Sequence, residues 1–167
     1  YATLVALQVK SGKVELRNSC VSGGTIFSVP KTGSDKLREI WHGKASSQQA
    51  LAPPVPRHLA SPSSLLALEA SDDRPIYLNK RDGRCLFDQL LSPPHVRPWF
   101  GRPAVRVRDL MQYGGLTQQE VNSAMADNGL PLCHDLVVPC NRVWPMGFSW
   151  SSAIAQDIML RVCAHSG

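Results

Sequence analysis

No run in this sequence is apolar for long enough to cross a membrane as a helix, and no charged leader followed by a short apolar stretch opens it. The expectation is a soluble intracellular protein, nuclear or cytoplasmic, with no membrane partner. Cysteine is odd in number and unpaired in pattern: Cys20, Cys85, Cys133, Cys140 and Cys163, with no C-x-x-C pair. A disulfide framework and a zinc ribbon are therefore not indicated. Cys133, His134 and Cys140 fit no standard zinc spacing and lack an obvious fourth ligand. Internal repeats are absent. Acidic residues are outnumbered, 13 against 18 basic, giving a formal charge of +5 that favours an anionic partner without choosing between nucleic acid and lipid.

What remains is enough for a core, because 43% of the 167 residues are hydrophobic. The chain begins at Tyr1 and ends in AHSG on an amphipathic segment, so it is expected to be cut from a longer polypeptide. GGTIFSVPK, ending at Lys31, and KLREIW, from Lys36, read as two strands of a hairpin across the turn TGSD. HGKASSQQALAPPVPRHLASP lacks periodicity and reads as an extended connection. Ser61 and Pro62 start a short helix with Leu65, Leu66 and Leu68 on its apolar side. RPIYLNKRD reads as a strand that ends at Asp82. Thr117 and Glu120 form a capping box for QQEVNSAMAD, which Asn128 and Gly129 stop, and LVV and NRVW read as short strands.

The stretch WPMGFSWSSAIAQ, Trp144 to Gln156, orders a proline, a glycine, serines and a helix-like tail. Proline fixes its own φ and glycine supplies conformations other residues avoid, so Pro145 and Gly147 predict a tight turn. Ser149 or Ser151 then caps a helix whose stripe Trp150, Ile154, Ile158 and Val162 is expected in the core. Such an element presents backbone amides at the mouth of a helix.

In this order the pieces resemble reverse transcriptases, above all retroviral and gypsy-type retrotransposon forms. WPMGFSWSSAIAQ resembles the second polymerase motif, with Pro145, Gly147, Ser151, Ala153, Ile154 and Gln156 at matching positions, and DGRCLFDQ resembles the first. There Asp82 stands at the metal-binding aspartate, Phe87 at the aromatic five positions on, and Gln89 at the retrotransposon glutamine. VPKTGSDKLREI is similar to the fingers hairpin, with Lys31 and Arg38 seven positions apart like the family's two triphosphate-contacting residues. PPVPRHLASPSSLLAL resembles the proline-led connection before the first motif.

The resemblance implies an α/β (α+β) partial right-hand fold. Residues about 20–60 would be fingers, and about 61–167 palm with an inserted helical segment near 104–130. It implies template-directed addition of deoxynucleotides to a primer, with Mg²⁺ (or Mn²⁺) as cofactor and a primed RNA or DNA template and deoxynucleoside triphosphates as partners. Asp82 would be the catalytic, metal-binding residue, and Lys31, Arg38, Phe87, Met146, Gly147 and Gln156 would contact the nucleotide. Phe87 would exclude a 2′-hydroxyl sterically. The third motif, an aromatic residue with two aspartates, would fall past Gly167, so the chain alone is expected to be inactive. Trp41, His42, Gly43 and Lys44 stand where the family has an aspartate, an aromatic and an arginine. That departure favours an alternative, a repurposed relative that binds nucleic acid without catalysis; a third reading is a basic α/β interaction domain.

Metal-assisted phosphoryl transfer needs hard oxygen ligands, which is the chemistry a carboxylate at a strand end offers. Arg38 suits bidentate contact with phosphate and Lys31 a mobile point charge. HVRPWFGRPAVRVRD carries Arg97, Arg102, Arg106 and Arg108 around Trp99 and Phe100. That composition reads either as a nucleic-acid track, where cations follow phosphates and rings stack on bases, or as a solvated loop and edge strand.

Overall fold

The structure, a computed structural model, describes residues 1–55, 63, 66–77, 83–126 and 135–165. It is mixed α and β, with antiparallel sheets packed by helices.

The first helix, α1 (Ala2–Lys10), buries Val5 and Ala6 and carries Lys10 in its last turn, where a cation complements the helix dipole. Strand β1 (Val14–Arg17) follows at once and pairs antiparallel with β5 (Leu136–Asn141), Val14 opposite Asn141 and Arg17 opposite Val138. The short β4 (Val105–Arg106) takes the other edge of β5, giving the order β1-β5-β4. One face of this sheet supplies Leu16, Val105 and Val137 to the core, and α1 supplies Val5 and Ala6. Helices α4 (Val107–Gln112) and α5 (Gln118–Ala124) complete it with Val107, Leu110 and Val121, joined by Leu116 and Met125 from the chain beside them. The segment expected as an insertion is therefore built into the core, and its end is tied to β1 by Ala126 N–H donating to the Leu16 carbonyl at 2.9 Å.

The predicted capping box is present: the Glu120 amide donates to Thr117 Oγ1 at 3.1 Å, and the Thr117 amide donates to Glu120 Oε2 at 2.7 Å. That amide and the Thr117 hydroxyl hold the Glu120 carboxyl below its ordinary range. The helix ends at Ala124; Asn128 and Gly129 lie outside the described residues.

The second sheet is the predicted hairpin, β2 (Thr25–Pro30) with β3 (Leu37–His42), in a register running from Thr25 opposite His42 to Pro30 opposite Leu37. Lys31 N–H donating to the Lys36 carbonyl at 3.0 Å extends the ladder one pair into the turn.

Several expectations differ. The connection after the hairpin opens with a helix, α2 (Lys44–Gln49), because its alanine, serine and glutamines tolerate helix and its first proline comes only at Pro53. Ser46 anchors it, buried, sharing a hydrogen bond with Ser22 Oγ at 2.8 Å and donating to the Trp99 carbonyl at 2.9 Å. Most of the helix expected from Ser61 lies outside the described residues, and so does the strand end Leu78–Asp82; Pro75, Ile76 and Tyr77, which are described, form no strand. LVV lies in β5, whereas NRVW contributes to it only at Asn141 and otherwise makes an isolated bridge between Val143 and Leu91.

The last helix, α6 (Ser151–His165), starts after the turn as predicted, but its stripe is not the expected one. Ser151 and Ala155 are its buried residues; Trp150 before it and Ile154 and Ile158 on it are half-buried, and Val162 is 54% exposed. Four-residue spacing fixes that these side chains share a face, not which face the neighbours cover.

Candidate functional site

A cross-strand pair puts both side chains on one face of a hairpin. The register therefore gathers Arg38, opposite Val29, on the same face as Lys31 and Lys36, while Glu39 and Trp41 lie on the other. Lys31, Lys36 and Arg38 are all exposed. Two lysines directly opposite each other repel, so the hairpin tip carries a cost that a bound anion would relieve.

The inward face docks the hairpin. Trp41 is 2% exposed, donates from Nε1 to the Gly101 carbonyl at 2.9 Å, and meets Phe100 edge-on at 5.8 Å. A Cβ on Gly43 would stand 1.7 Å from the Trp41 ring, so the glycine two positions later leaves the room the indole fills. Trp41 and Gly43 thus pack as a pair, while His42 and Lys44 are exposed.

Trp41 also meets the turn-helix motif. Its amide donates to the Met146 carbonyl at 3.2 Å, and Gly147, at φ +115°, brings its backbone so close to the Trp41 carbonyl that a Cβ would lie 1.9 Å away. Within the turn, Phe148 N–H donates to the Pro145 carbonyl at 3.1 Å. The Ser151 hydroxyl donates to the same carbonyl at 2.7 Å, fastening the turn to α6 where a cap on the helix amides was expected. Met146 and Gln156 are half-buried and Gly147 is exposed.

Beneath the hairpin lies an ion-pair chain that strand periodicity alone could have hinted at, since Glu39 alternates with Trp41 on the inward face. Glu39 Oε1 accepts from Arg102 at 3.1 Å and Oε2 from Gln8 Nε2 at 2.7 Å, and Lys13 Nζ lies 3.4 Å from Glu39 and 2.8 Å from Asp88. Burial would raise the Glu39 carboxyl, but the Arg102 charge, with Gln8 and Lys13, holds it below the ordinary carboxylate range. Burial lowers the Arg102 guanidinium and Glu39 opposes the shift; an arginine remains charged throughout. Arg102 further donates from Nε to Asn141 Oδ1 at 2.9 Å and to Gln8 Oε1. Asp88 sits on α3 (Leu86–Gln89), the helix that carries Phe87, half-buried, and that lies against α6.

The arginine-rich stretch divides. The Arg102 side chain is 1% exposed and Arg97 is turned inward, donating to Glu15 Oε2 at 3.0 Å and to the Ser92 carbonyl at 3.0 Å, so neither reaches out as a nucleic-acid track requires. Phe100, between them, packs among Trp41, Trp144 and Phe148, while Trp99 stays 36% exposed. Arg106 and Arg108 are exposed, Arg108 beside Asp135 at 3.5 Å.

No protein-family model, curated protein or solved structure matches this chain. The site must therefore be read from its own residues. Asp82, Cys133 and His134 lie outside the described residues; Cys140 is buried on β5. Among the described residues no three or more His, Cys, Asp or Glu are grouped to hold a metal ion. Nor is any described helix long and apolar enough to cross a membrane.

Proposed function

We propose that the chain is part of a reverse-transcriptase-type polymerase, fingers with incomplete palm, and that the hairpin face and the turn at Pro145–Phe148 together meet a nucleotide and a primed template. The observation that carries the reading is the Trp41 to Met146 hydrogen bond with Gly147 closed onto the Trp41 carbonyl. The hairpin strand that carries Arg38 and the turn that resembles the second polymerase motif, far apart in sequence, meet backbone to backbone at Trp41, just past the part of the hairpin that carries the resemblance. The cations Lys31, Lys36 and Arg38 stand on the hairpin's exposed face as a preorganised anion surface.

In this reading Lys31 and Arg38 bind phosphates, and the turn and Gln156 border the nucleotide from the helix side. Phe87 contacts the sugar. Asp82 would supply a carboxylate to a divalent cation, which in two-metal enzymes stabilises the attacking and leaving oxygens.

Titrating a labelled primed duplex at several salt concentrations tests this. Affinity falls steeply from about 50 to 200 mM salt in the unchanged protein, and replacing Lys31, Lys36 and Arg38 by Ala flattens the log–log slope by about 0.9 for each phosphate that is no longer neutralised. Binding that is independent of salt, or untouched by the triple substitution, would overturn the assignment of the hairpin.

A further inference from the structure

An open groove of about 320 Å³ runs between the end of α2, the 3₁₀ segment Pro94–Phe100 and the stretch from Trp144 to Trp150. Its lining is aromatic, with Trp99, Phe100, Trp144, Phe148 and Trp150, and includes no charged side chain. The walls hold one another in place. Phe100 meets Trp144 and Phe148 edge-on at 5.7 and 5.0 Å, and the Trp144 and Phe148 rings stack at 6.2 Å. The Ser149 amide donates to Ser47 Oγ at 3.1 Å and the Trp150 indole to the Leu51 carbonyl at 2.6 Å, which ties the turn to α2 and the residues after it. Trp144 is half-buried, and its indole N–H meets no acceptor among the described residues. No buried side-chain nitrogen there lacks a partner, so this N–H is open to an incoming oxygen.

A phosphate or carboxylate finds no cation in this lining, so the groove suits a neutral ligand with an apolar surface and carbonyl oxygens to offer. A proline-rich extended segment has both, because its backbone makes no internal hydrogen bonds and its proline rings pack on aromatic faces. Such a segment starts at the lip of the groove. Ala50, which ends α2, has φ −85° and ψ 151°, near polyproline II values, and LAPPV follows at residues 51–55 without regular structure. Leu51 and Val55 are 85% and 84% exposed, so within one copy the segment leaves its apolar side chains in water. Groove and segment stand side by side on the same copy, an arrangement that a two-fold contact uses twice.

We infer that this groove binds a proline-rich extended segment, and that its occupant is residues 51–55 of a second copy of the chain, exchanged about a two-fold axis. The exchange covers Leu51 and Val55 of both copies and offers backbone carbonyls to the indole N–H of Trp144. The inference does not rest on the polymerase reading, since none of the hairpin cations lines the groove.

The test is sedimentation of the whole protein over a concentration series, with a capped peptide of residues 50–55, ALAPPV, as probe. The protein should self-associate. The peptide, which has no aromatic residue, should shift the tryptophan fluorescence saturably and dissociate the dimer. Trp99→Ala removes an exposed ring of the groove, and Val55→Asp puts a charge on the exposed segment; each should weaken self-association by about tenfold or more. Val55→Asp should keep the peptide response, and it serves alone if the tryptophan variant folds poorly. Mixing the two variants should restore one of the two contacts, because one supplies an intact groove and the other an intact segment. A protein that stays monomeric, or a dimer that neither variant weakens, would overturn the exchange. A peptide response in a monomer assigns the groove to a proline-rich segment of another protein, and a response to oligodeoxythymidylate without one to the peptide assigns it to stacked bases; either result removes the second copy as occupant.

Discussion

Replacing Arg102 by Ala separates a structural arginine from one that touches nucleic acid. Its guanidinium is 1% exposed and serves Glu39, Asn141 and Gln8 together. Removing one partner of a buried ion pair costs about 3 to 5 kcal/mol, because the other charge is left uncompensated. Glu39 keeps Gln8 at 2.7 Å and Lys13 at 3.4 Å and is 18% exposed, which places the ionic part at the low end. The Asn141 oxygen, on a side chain buried in β5, loses its donor as well, at about 1 kcal/mol or more. The expected total is about 4 kcal/mol, a large part of the roughly 5 to 15 kcal/mol typical of a domain. At a urea slope of about 2 kcal/mol/M, the midpoint falls by about 2 M. Arg106→Ala, at an exposed position, should stay within about 0.5 kcal/mol. A cycle with Glu39→Gln should return a coupling of about 1 to 3 kcal/mol. If Arg102→Ala folds with an unchanged urea midpoint and weakens nucleic-acid binding instead, the buried network is not what holds the hairpin.

Other consequences can be measured separately. The folded Glu39 carboxyl titrates below its unfolded value, so its stabilisation is complete above about pH 4.3 and is lost as pH falls through the lower folded value; urea midpoints from about pH 6 to 3 should fall less in Glu39→Gln. Gly147→Ala meets both a φ of +115° and the Trp41 carbonyl, so a loss of about 3 kcal/mol is expected, read as a drop in thermal midpoint with the hairpin loosened in hydrogen exchange. Thr117→Ala removes the cap and should cost about 1 kcal/mol by chemical denaturation, whereas an unchanged midpoint would show that packing alone holds α5.

The legible parts of the fold were those fixed by local chemistry. The hairpin, the capping box and the turn before the last helix each depend on residues within a few positions, and each formed where the residues indicated. The buried face of α6 was not legible, because Ser151 and Ala155 are covered by elements that periodicity says nothing about. The arginines show the same limit: charge along a loop gives no account of Glu15 or Glu39, which reach Arg97 and Arg102 from strands distant in sequence. The N-terminal helix and β1, which with the turn between them supply Gln8, Lys13 and Glu15 to those networks, carried no strong local signal. Of the candidate site, Met146 and Gly147 meet the hairpin at Trp41, whereas Lys31 and Arg38 stand on its exposed face. Phe87 is linked to it through Asp88 and Lys13, and Asp82 lies outside the described residues.

Primer extension on a primed RNA template, with this chain carried in the longest polypeptide its coding sequence encodes, tests the polymerase reading most directly. The account predicts deoxynucleotide-dependent extension that Asp82→Asn abolishes, since the amide keeps the shape but loses the charge a divalent cation needs. Phe87→Val, folded by circular dichroism, should then admit ribonucleotides far more readily, a change in transition-state fit and not in overall binding. Extension that survives Asp82→Asn, or none from the unaltered polypeptide while it still binds the primed template, would contradict it.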